Sequence, residues 1–351
     1  MLDSISTNGK TSAHGTEYSV RRTPPLPLLV TGIAGVAGYA ALEYFQAKFG
    51  TRVAGVRQRE NYKLIGPGIF ACDAEDRASL SQLFREHRFV AVLNCAGNCA
   101  LKKCELDPPM ARRINVDGVK NLLDAIDEQP QPVRLVHLSI DLVYSGEFGG
   151  GHDEDHPTDP VTVYGQTMVE GERLIAQRQP AAAMLRISLP MGVSFNGHAG
   201  AIDWIQSRFK KDRPATLYYD EIRTPTYVDC LNRACEAVLA SELFGLYHAG
   251  GPRRLSLFQI AQIVNRVGGY APRLLLGCYR RDAGPMPPRA GNVSIDSSRL
   301  ARALGFEPFD PWPLPEEWVP SDPRWHFDRP ASERGSPELL ARVLYRNPSL
   351  S

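Results

Sequence analysis

The feature that most constrains the fold is a run with glycine at every third position, Thr31-Gly32-Ile33-Ala34-Gly35-Val36-Ala37-Gly38. It follows a short apolar run, Leu26–Thr31, and opens an amphipathic stretch, Val36–Phe49. In such a strand–turn–helix unit the first glycine permits the tight turn and the second lets backbone amides approach a pyrophosphate. The third lets the helix pack close to the strand. The pattern therefore predicts a dinucleotide-binding turn that contacts the cofactor through Gly32, Ile33, Ala34, Gly35, Val36, Ala37 and Gly38.

Beyond this turn, short apolar runs rich in β-branched residues alternate with stretches of helical periodicity. Further strands are predicted at residues 51–56, 68–71, 90–95, 134–139, 183–187 and 245–248. Helices are predicted at 77–85, 109–127, 162–179, 228–240, 256–267 and 336–345. Such alternation is typical of βαβ units. It predicts an α/β fold, a Rossmann-type doubly wound parallel sheet with a smaller, discontinuous substrate lobe.

The same pattern suggests a division of the chain. We expect a disordered tail at 1–24 and a dinucleotide-binding domain formed by 25–189 and 226–250. The looser, Pro- and Gly-rich segments 190–225 and 251–310 would form the substrate-binding lobe. A C-terminal extension, 311–351, would pack on the body through Trp312, Trp318 and Trp325.

Composition excludes several partners and compartments. A formal net charge of +1 over 351 residues gives no electrostatic footprint for nucleic acid or an anionic membrane. No apolar run is long enough to span a bilayer. Seven cysteines in a long chain do not resemble a disulfide framework, which favours a reducing cytoplasm. The spacing of Cys95, Cys99 and Cys104 is not a common zinc pattern, and no metal site is predicted.

The end of the second predicted strand bears on the choice of cofactor. An acid there would bind the ribose hydroxyls of NAD(H), whereas a base accommodates the 2′-phosphate of NADP(H). Arg57 and Arg59 therefore favour NADP(H) over NAD(H), although two solvated loop arginines remain an alternative. Asp73 is placed to reach the adenine. After the fourth strand the cofactor would be lined by Asn94, Cys95, Ala96 and Gly97.

Several segments, in order, resemble a known family. They are the glycine turn, Asn94–Gly97, Arg113–Gly118, Ser139–Gly146, Tyr164–Glu172 and Arg289–Asp296. Together they resemble the extended short-chain dehydrogenases/reductases, specifically the dTDP-4-dehydrorhamnose reductase family. That family also includes the regulatory β-subunit of methionine adenosyltransferase. The resemblance covers roughly residues 27–310.

The resemblance implies a tyrosine that protonates the substrate carbonyl, a lysine one helical turn later and a serine or threonine at a strand end. Tyr164 matches the tyrosine, whereas Met168 and Ile140 occupy the lysine and serine/threonine positions. Ser139 is a neighbour of Ile140, but adjacent strand residues point to opposite faces. Residues expected to border the substrate are Ser139, Asp141, Arg223, Arg289 and Asn292. Arg289 would either clamp a diphosphate or join the two lobes.

These features lead to three hypotheses. The first is an NADP(H)-dependent reductase of a 4-keto sugar nucleotide with an atypical active site. The second is a cofactor-binding regulatory subunit with little or no turnover. The third is a sugar-nucleotide epimerase or dehydratase. Its chemistry depends even more strongly on the tyrosine–lysine pair, of which the lysine is missing here. The partners expected are a sugar-nucleotide substrate and either a second copy of the chain or a protein that it regulates.

Overall fold

In the computed structural model of this protein, the described residues are 23–197, 199–285, 287–330 and 333–350. The predicted tail, 1–24, therefore lies outside the described residues except for its last two positions. Strands in chain order are β1 (Leu28–Thr31), β2 (Val53–Arg57), β3 (Ile69–Ala71), β4 (Ala91–Asn94), β5 (Arg134–Ile140), β6 (Ala183–Ile187), β7 (Pro190–Met191), β8 (Ala215–Tyr218), β9 (Ile222–Arg223), β10 (Thr226–Tyr227), β11 (Gly245–Ala249), β12 (Leu255–Ser256) and β13 (Leu275–Cys278).

The α-helices lie between and after these strands. They are α1 (Val36–Phe49), α2 (Arg77–His87), α3 (Leu101–Leu106), α4 (Pro108–Arg112), α5 (Gly118–Asp127), α6 (Val163–Arg178), α7 (Ala201–Lys210), α8 (Val228–Leu239), α9 (Leu257–Val267), α10 (Ser298–Leu304) and α11 (Pro337–Leu344). None of those in the described residues is long and apolar enough to cross a membrane.

The central sheet is parallel throughout, with strand order β11-β6-β5-β4-β1-β2-β3. The order reverses between β1 and β4, where Thr31 is in register with Asn94. Ligands of doubly wound sheets bind beyond the carboxyl ends of the strands at such a switch point. The fold class is therefore the one that the sequence predicts, a Rossmann-like α/β fold.

Strand β1 illustrates how the sequence makes a two-sided sheet. Leu28 and Val30 pack into a core cluster shared with α1 and α8, whereas Leu29 packs into a second cluster shared with α2 and α5. Alternate residues of a strand face opposite sides, so a continuous apolar run is needed when both faces are covered by helices. This arrangement fixes α1 directly after the glycine turn, with its first turn at the switch point.

Two expectations for the helices need correction. The single helix predicted at 109–127 is interrupted by a π-helical turn, Arg113–Asp117, between α4 and α5. The apolar periodicity of the segment does not predict the wider π-helical turn, because that turn depends on contacts with other elements. Helices α3, α7 and α10 lie where the sequence predicts no helix. Helix α7 begins after Gly200 without a side-chain cap, so the usual sequence signal for a helix start is missing.

The remaining strands form small two-stranded sheets, β10 with β7, β12 with β9 and β13 with β8. The C-terminal segment packs on the main core cluster: Trp312 is fully buried, and the guanidinium of Arg266 lies 4.2 Å from the ring of Trp325. The indole of Trp312 donates to the backbone carbonyl of Leu344. These tryptophans therefore stabilise packing and do not enclose a ligand site.

Candidate cofactor and substrate site

The glycine turn has the geometry of a phosphate cradle. Gly32 has a φ of +66°, and a Cβ atom there would collide with the backbone of Cys95. A Cβ at Gly38 would collide with the carbonyl oxygen of Gly32. At Gly35, which caps α1, the nearest atom to an added Cβ would be the Gly32 oxygen at 3.5 Å. The chain thus requires Gly32 and Gly38 for its own packing, while the space beside Gly35 stays open at the helix N-terminus, as a bound pyrophosphate requires.

Two alanine substitutions separate these roles. Gly38→Ala is expected to lower the free energy of unfolding by about 2 kcal/mol, because the helix must move away from the turn. Gly35→Ala is expected to leave that free energy nearly unchanged and to weaken NADPH binding about tenfold or more. Thermal unfolding with and without NADPH measures both effects. Unchanged NADPH affinity in Gly35→Ala would contradict this assignment of the turn.

The two arginines after β2 lie at the predicted place, but their guanidinium groups already have partners. Arg57 donates from Nε to the carbonyl of Leu64 at 2.6 Å and from Nη1 to the carbonyl of Gln58 at 3.1 Å. Arg59 is paired with Asp73, Nη1 to Oδ2 at 2.9 Å, and with Asp76, Nη2 to Oδ2 at 2.5 Å. Asp73, expected near the adenine, also accepts the backbone N–H of Arg59 at 2.8 Å.

The loop after β4 connects the glycine turn to the predicted catalytic helix. Asn94 accepts a hydrogen bond from the hydroxyl of Thr31 at 2.6 Å, and Cys95 and Ala96 border Gly32. A Cβ added at Gly97 would lie 3.8 Å from Sδ of Met168 on α6. The structure therefore brings Asn94, Cys95, Ala96 and Gly97 together with the turn on one side and α6 on the other.

Tyr164 lies in the first turn of α6, which is capped by the side chain of Thr162. It is buried in the cluster that also contains Met168 and Val169. Burial is the main cause that raises the pKa of Tyr164 well above 10, and the Cys99 thiol and Asp141 raise it further. The phenol is therefore protonated at neutral pH and able to donate, and the nearby Arg223, which favours the phenolate, does not offset the effect of burial.

Met168 and Ile140, at the positions of the expected lysine and hydroxyl residue, are apolar walls of this site. Met168 is buried in a cluster that includes Tyr164, and Ile140 packs against the same cluster. Lys102 and Lys103 lie on α3 with their side chains exposed to solvent. Neither of these lysines thus takes the place of the missing lysine beside Tyr164.

Ser139, which the resemblance places near the substrate, points away from Ile140 in the structure. Its side chain is buried on the opposite face of β5 from Ile140 and donates to a carboxylate oxygen of Glu172. Glu172 in turn pairs with Arg186, Nη2 to Oε2 at 2.7 Å. Because β5 is still extended at Ser139, strand alternation decides its direction and turns the hydroxyl away from Tyr164.

Asp141 and Arg223 form a fully buried ion pair. Arg223 donates from Nε to Oδ2 of Asp141 at 2.7 Å and from Nη2 to Oδ1, and Ser188 donates to Oδ2 at 2.6 Å. The hydroxyl of Ser188 also accepts the backbone N–H of Thr224 at 3.0 Å. Both residues border Tyr164 closely enough to affect its pKa, but they are paired with each other, and Nη1 of Arg223 also lies 3.8 Å from Oε1 of Glu221. The pair therefore acts as a joint between β5 and β9.

Arg289 and Asn292 lie in the segment that packs against the glycine-rich loop after β5. Asn292 donates to the carbonyl of Gly149 at 2.7 Å, so it holds that loop. Arg289 stacks on the Tyr218 ring at 4.7 Å and lies 3.8 Å from Glu221. It also lines a cavity of about 340 Å³, together with Asp220, Arg280 and Arg281. Three arginines border this cavity, and each also has a carboxylate within 4 Å: Asp220 and Glu147 for Arg280, Asp282 for Arg281 and Glu221 for Arg289.

Two buried polar groups were not identified from the sequence. Asn115, in the π-helical turn, accepts the backbone N–H of Asn98 at 2.7 Å and donates to Thr167 at 2.9 Å, so it orders the loop before α3. Glu221 is buried with Oε2 lacking any hydrogen bond. An asparagine among the apolar positions of a predicted helix is a signal for the first. Nothing in the local sequence distinguishes Glu221. Within the described ranges there is no cluster of three or more residues suited to hold a metal ion.

The family model and the sequence relatives agree on one family, whereas the solved structures of similar fold also include epimerases and a dehydratase. Residues 27–313 match the RmlD substrate binding domain. The dTDP-4-dehydrorhamnose reductase of Streptomyces griseus is 27% identical over 293 residues, which cover 81% of this chain and 90% of that protein. Methionine adenosyltransferase 2 subunit beta of Danio rerio is 22% identical over 293 residues, 82% of this chain and 88% of that protein.

Among solved structures, dTDP-4-dehydrorhamnose reductase of Bacillus anthracis in complex with NADP superposes with a TM-score of 0.65 at 22% sequence identity. The match covers 81% of this chain and 95% of that one. At this identity the likeness establishes the shared fold.

Proposed function

This chain belongs to the RmlD substrate binding domain family, and from that premise we propose that it is a nicotinamide-dinucleotide-dependent reductase of a 4-keto sugar nucleotide. One observation carries the proposal: the loop Cys95–Gly97 is packed between the glycine turn and the helix that holds Tyr164. A dinucleotide with its pyrophosphate at Gly35 would therefore extend toward Tyr164. Arg59, whose guanidinium is paired only with side chains, favours NADP(H) as the cofactor.

A nicotinamide dinucleotide held by the glycine turn and the loop Cys95–Gly97 would supply the hydride for reduction of the keto carbon. The Tyr164 hydroxyl donates its proton to the carbonyl oxygen, so the ketone becomes an alcohol and the tyrosine a phenolate. Because burial raises the Tyr164 pKa, the phenol is present in its donating form across the neutral range. The same burial disfavours the phenolate. Turnover is therefore expected to be slow, since a positioned acid–base group contributes about 10²–10⁴-fold and an oxyanion donor about 10²–10³-fold.

For the substrate, we place the diphosphate of the sugar nucleotide in the cavity bordered by Arg289, Arg280 and Arg281. The cofactor would lie on residues 25–189 and 226–250, and the substrate lobe would be 190–225 and 251–310. Asp141 and Arg223 would support the floor of the site. All seven cysteines are free thiols, which favours a reducing compartment such as the cytoplasm.

A second candidate function is a cofactor-binding regulatory subunit without turnover. The specific observation in its favour is that Met168 and Ile140 leave Tyr164 in an apolar surrounding. The relative named methionine adenosyltransferase 2 subunit beta supports the same candidate. In that case the chain would act through a partner protein or a second copy of itself.

The deciding experiment follows the nicotinamide absorbance of NADPH incubated with pure protein and a dTDP-4-keto-6-deoxy sugar. We expect slow oxidation above background that is lost in Tyr164→Phe. In that variant the fold and NADPH affinity should persist, because only the donor is removed. Tight NADPH binding without any oxidation would reject the reductase and support the regulatory subunit.

A further inference from the structure

Arg57 and Arg59 differ in what holds their guanidinium groups. Arg57 is bound to backbone carbonyls of the segment that follows it, Leu64 and Gln58, and so braces that segment. Arg59 points to acidic side chains, and half of its side-chain surface is exposed. Only Arg59, of these two, is therefore free of backbone bracing and able to exchange its partners for a ligand.

Of the two carboxylates that pair with Arg59, Asp76 is anchored by hydrogen bonds that do not involve Arg59. Asp76 is the N-cap of α2: its Oδ1 accepts the backbone N–H of Ser79 at 3.0 Å, and its Oδ2 accepts the Ser79 hydroxyl at 2.7 Å. The backbone hydrogen bond from Ser79, then the Arg59 guanidinium, then the Ser79 hydroxyl lower the pKa of Asp76 to about 2, so the carboxylate stays ionised at neutral pH. Asp73 is held by the backbone N–H of Arg59 at 2.8 Å.

Two fixed carboxylates on one guanidinium leave no positive charge for a further anion. Asp73 and Asp76 outweigh Arg59, and with Arg57 the local sum of the four charges is zero. A phosphate monoester carries close to two negative charges at neutral pH. To bind Arg59, the phosphate would have to displace the carboxylate of Asp73 or Asp76, and the displaced carboxylate would remain close to the phosphate. A cofactor with free ribose hydroxyls meets no such competition.

We propose that Asp76 is a specificity-determining residue of the cofactor site, which competes with the adenosine 2′-phosphate for the Arg59 guanidinium. Asp76 thereby narrows the preference for NADP(H) over NAD(H) that Arg59 would otherwise create. This inference rests on the proposed function only in that the chain binds a nicotinamide dinucleotide. Hydride transfer is not required.

The test is a fluorescence titration of the full chain with NADPH and with NADH. Asp76→Asn keeps a good N-cap for α2, because asparagine caps helices as well as aspartate does. It is expected to tighten NADPH binding about fivefold, the size of one screened surface charge interaction, and to leave NADH binding unchanged. Arg59→Leu should abolish that gain when combined with Asp76→Asn. Asp212→Asn, which removes a carboxylate from an exposed pair with Arg273, is the matched control and should alter neither affinity.

The outcomes separate the two proposals. If wild-type protein binds neither dinucleotide, the cofactor-dependent function fails. If it binds both and Asp76→Asn leaves the NADPH-to-NADH affinity ratio unchanged, or lowers it, the competition by Asp76 is overturned while the function stands. A lowered ratio would mean that Asp76 instead orients Arg59 toward the phosphate.

Discussion

Replacing Met168 by lysine and Ile140 by threonine is expected to raise the rate of 4-keto sugar nucleotide reduction by about a hundredfold or more. The lysine would place a positive charge one helical turn after Tyr164 and stabilise the phenolate that forms when the proton leaves. The threonine hydroxyl would bind the carbonyl oxygen. Each such group contributes about 10²-fold or more, although groups acting as a unit do not add independently.

The structure limits how this variant is built and judged. Met168 is buried, with Sδ near Gly97, so a lysine there must extend into the space of the cofactor. Buried lysine lowers stability when it lacks a partner. The Met168→Lys protein should therefore regain thermal stability on adding NADPH by more than wild type does. The controls Met168→Leu and Ile140→Val keep the site apolar and should leave the rate unchanged. No gain in the double variant, despite intact folding and cofactor binding, would indicate that the pocket no longer accepts a keto sugar.

The sequence predicts most reliably those features that depend on neighbouring residues. Helix α1 begins at Val36 and ends at Phe49 as expected, because the glycine turn fixes its start and Gly50 follows its end. The parallel sheet follows from continuous apolar runs such as Leu28–Thr31. Strand alternation also predicts the direction of the Ser139 side chain. The expectation that Ser139 borders the substrate came instead from the family resemblance.

Features that depend on contacts distant in sequence could not be predicted. The sequence places Arg59 correctly, but its pairing with Asp76 requires α2 to begin beside the end of β2. The π-helical turn Arg113–Asp117 contains Asn115, whose side chain forms hydrogen bonds with Asn98 and Thr167 on other elements. The sequence thus identifies Arg59 as a candidate functional residue, but the partners of Arg59 and Asn115 depend on the tertiary fold.

The buried Asp141–Arg223 ion pair is expected to contribute strongly to the stability of the fold. Arg223→Met is expected to lower the free energy of unfolding by about 3–5 kcal/mol, because it leaves a carboxylate buried without its counter-charge. Asp141 is completely buried, and Ser188 supplies only one further hydrogen bond to its carboxylate. Denaturant unfolding followed by circular dichroism measures the loss. Arg273→Met, at an exposed pair, is the control and should change stability by less than about 1 kcal/mol.

A second substitution distinguishes a structural joint from a substrate contact. Burial raises the pKa of Asp141 and Arg223 lowers it, so without the arginine the carboxyl takes up a proton more readily in the folded state than in the unfolded one. The stability lost in Arg223→Met should therefore be partly restored as the pH falls, and Asp141→Asn in the same background should restore much of it at neutral pH. If these residues instead contacted the sugar nucleotide, the single variants would keep their unfolding free energy and raise KM. Because the pair connects β5 with β9, its loss is also expected to weaken substrate binding indirectly. Weaker binding should then appear only in variants whose free energy of unfolding has also fallen.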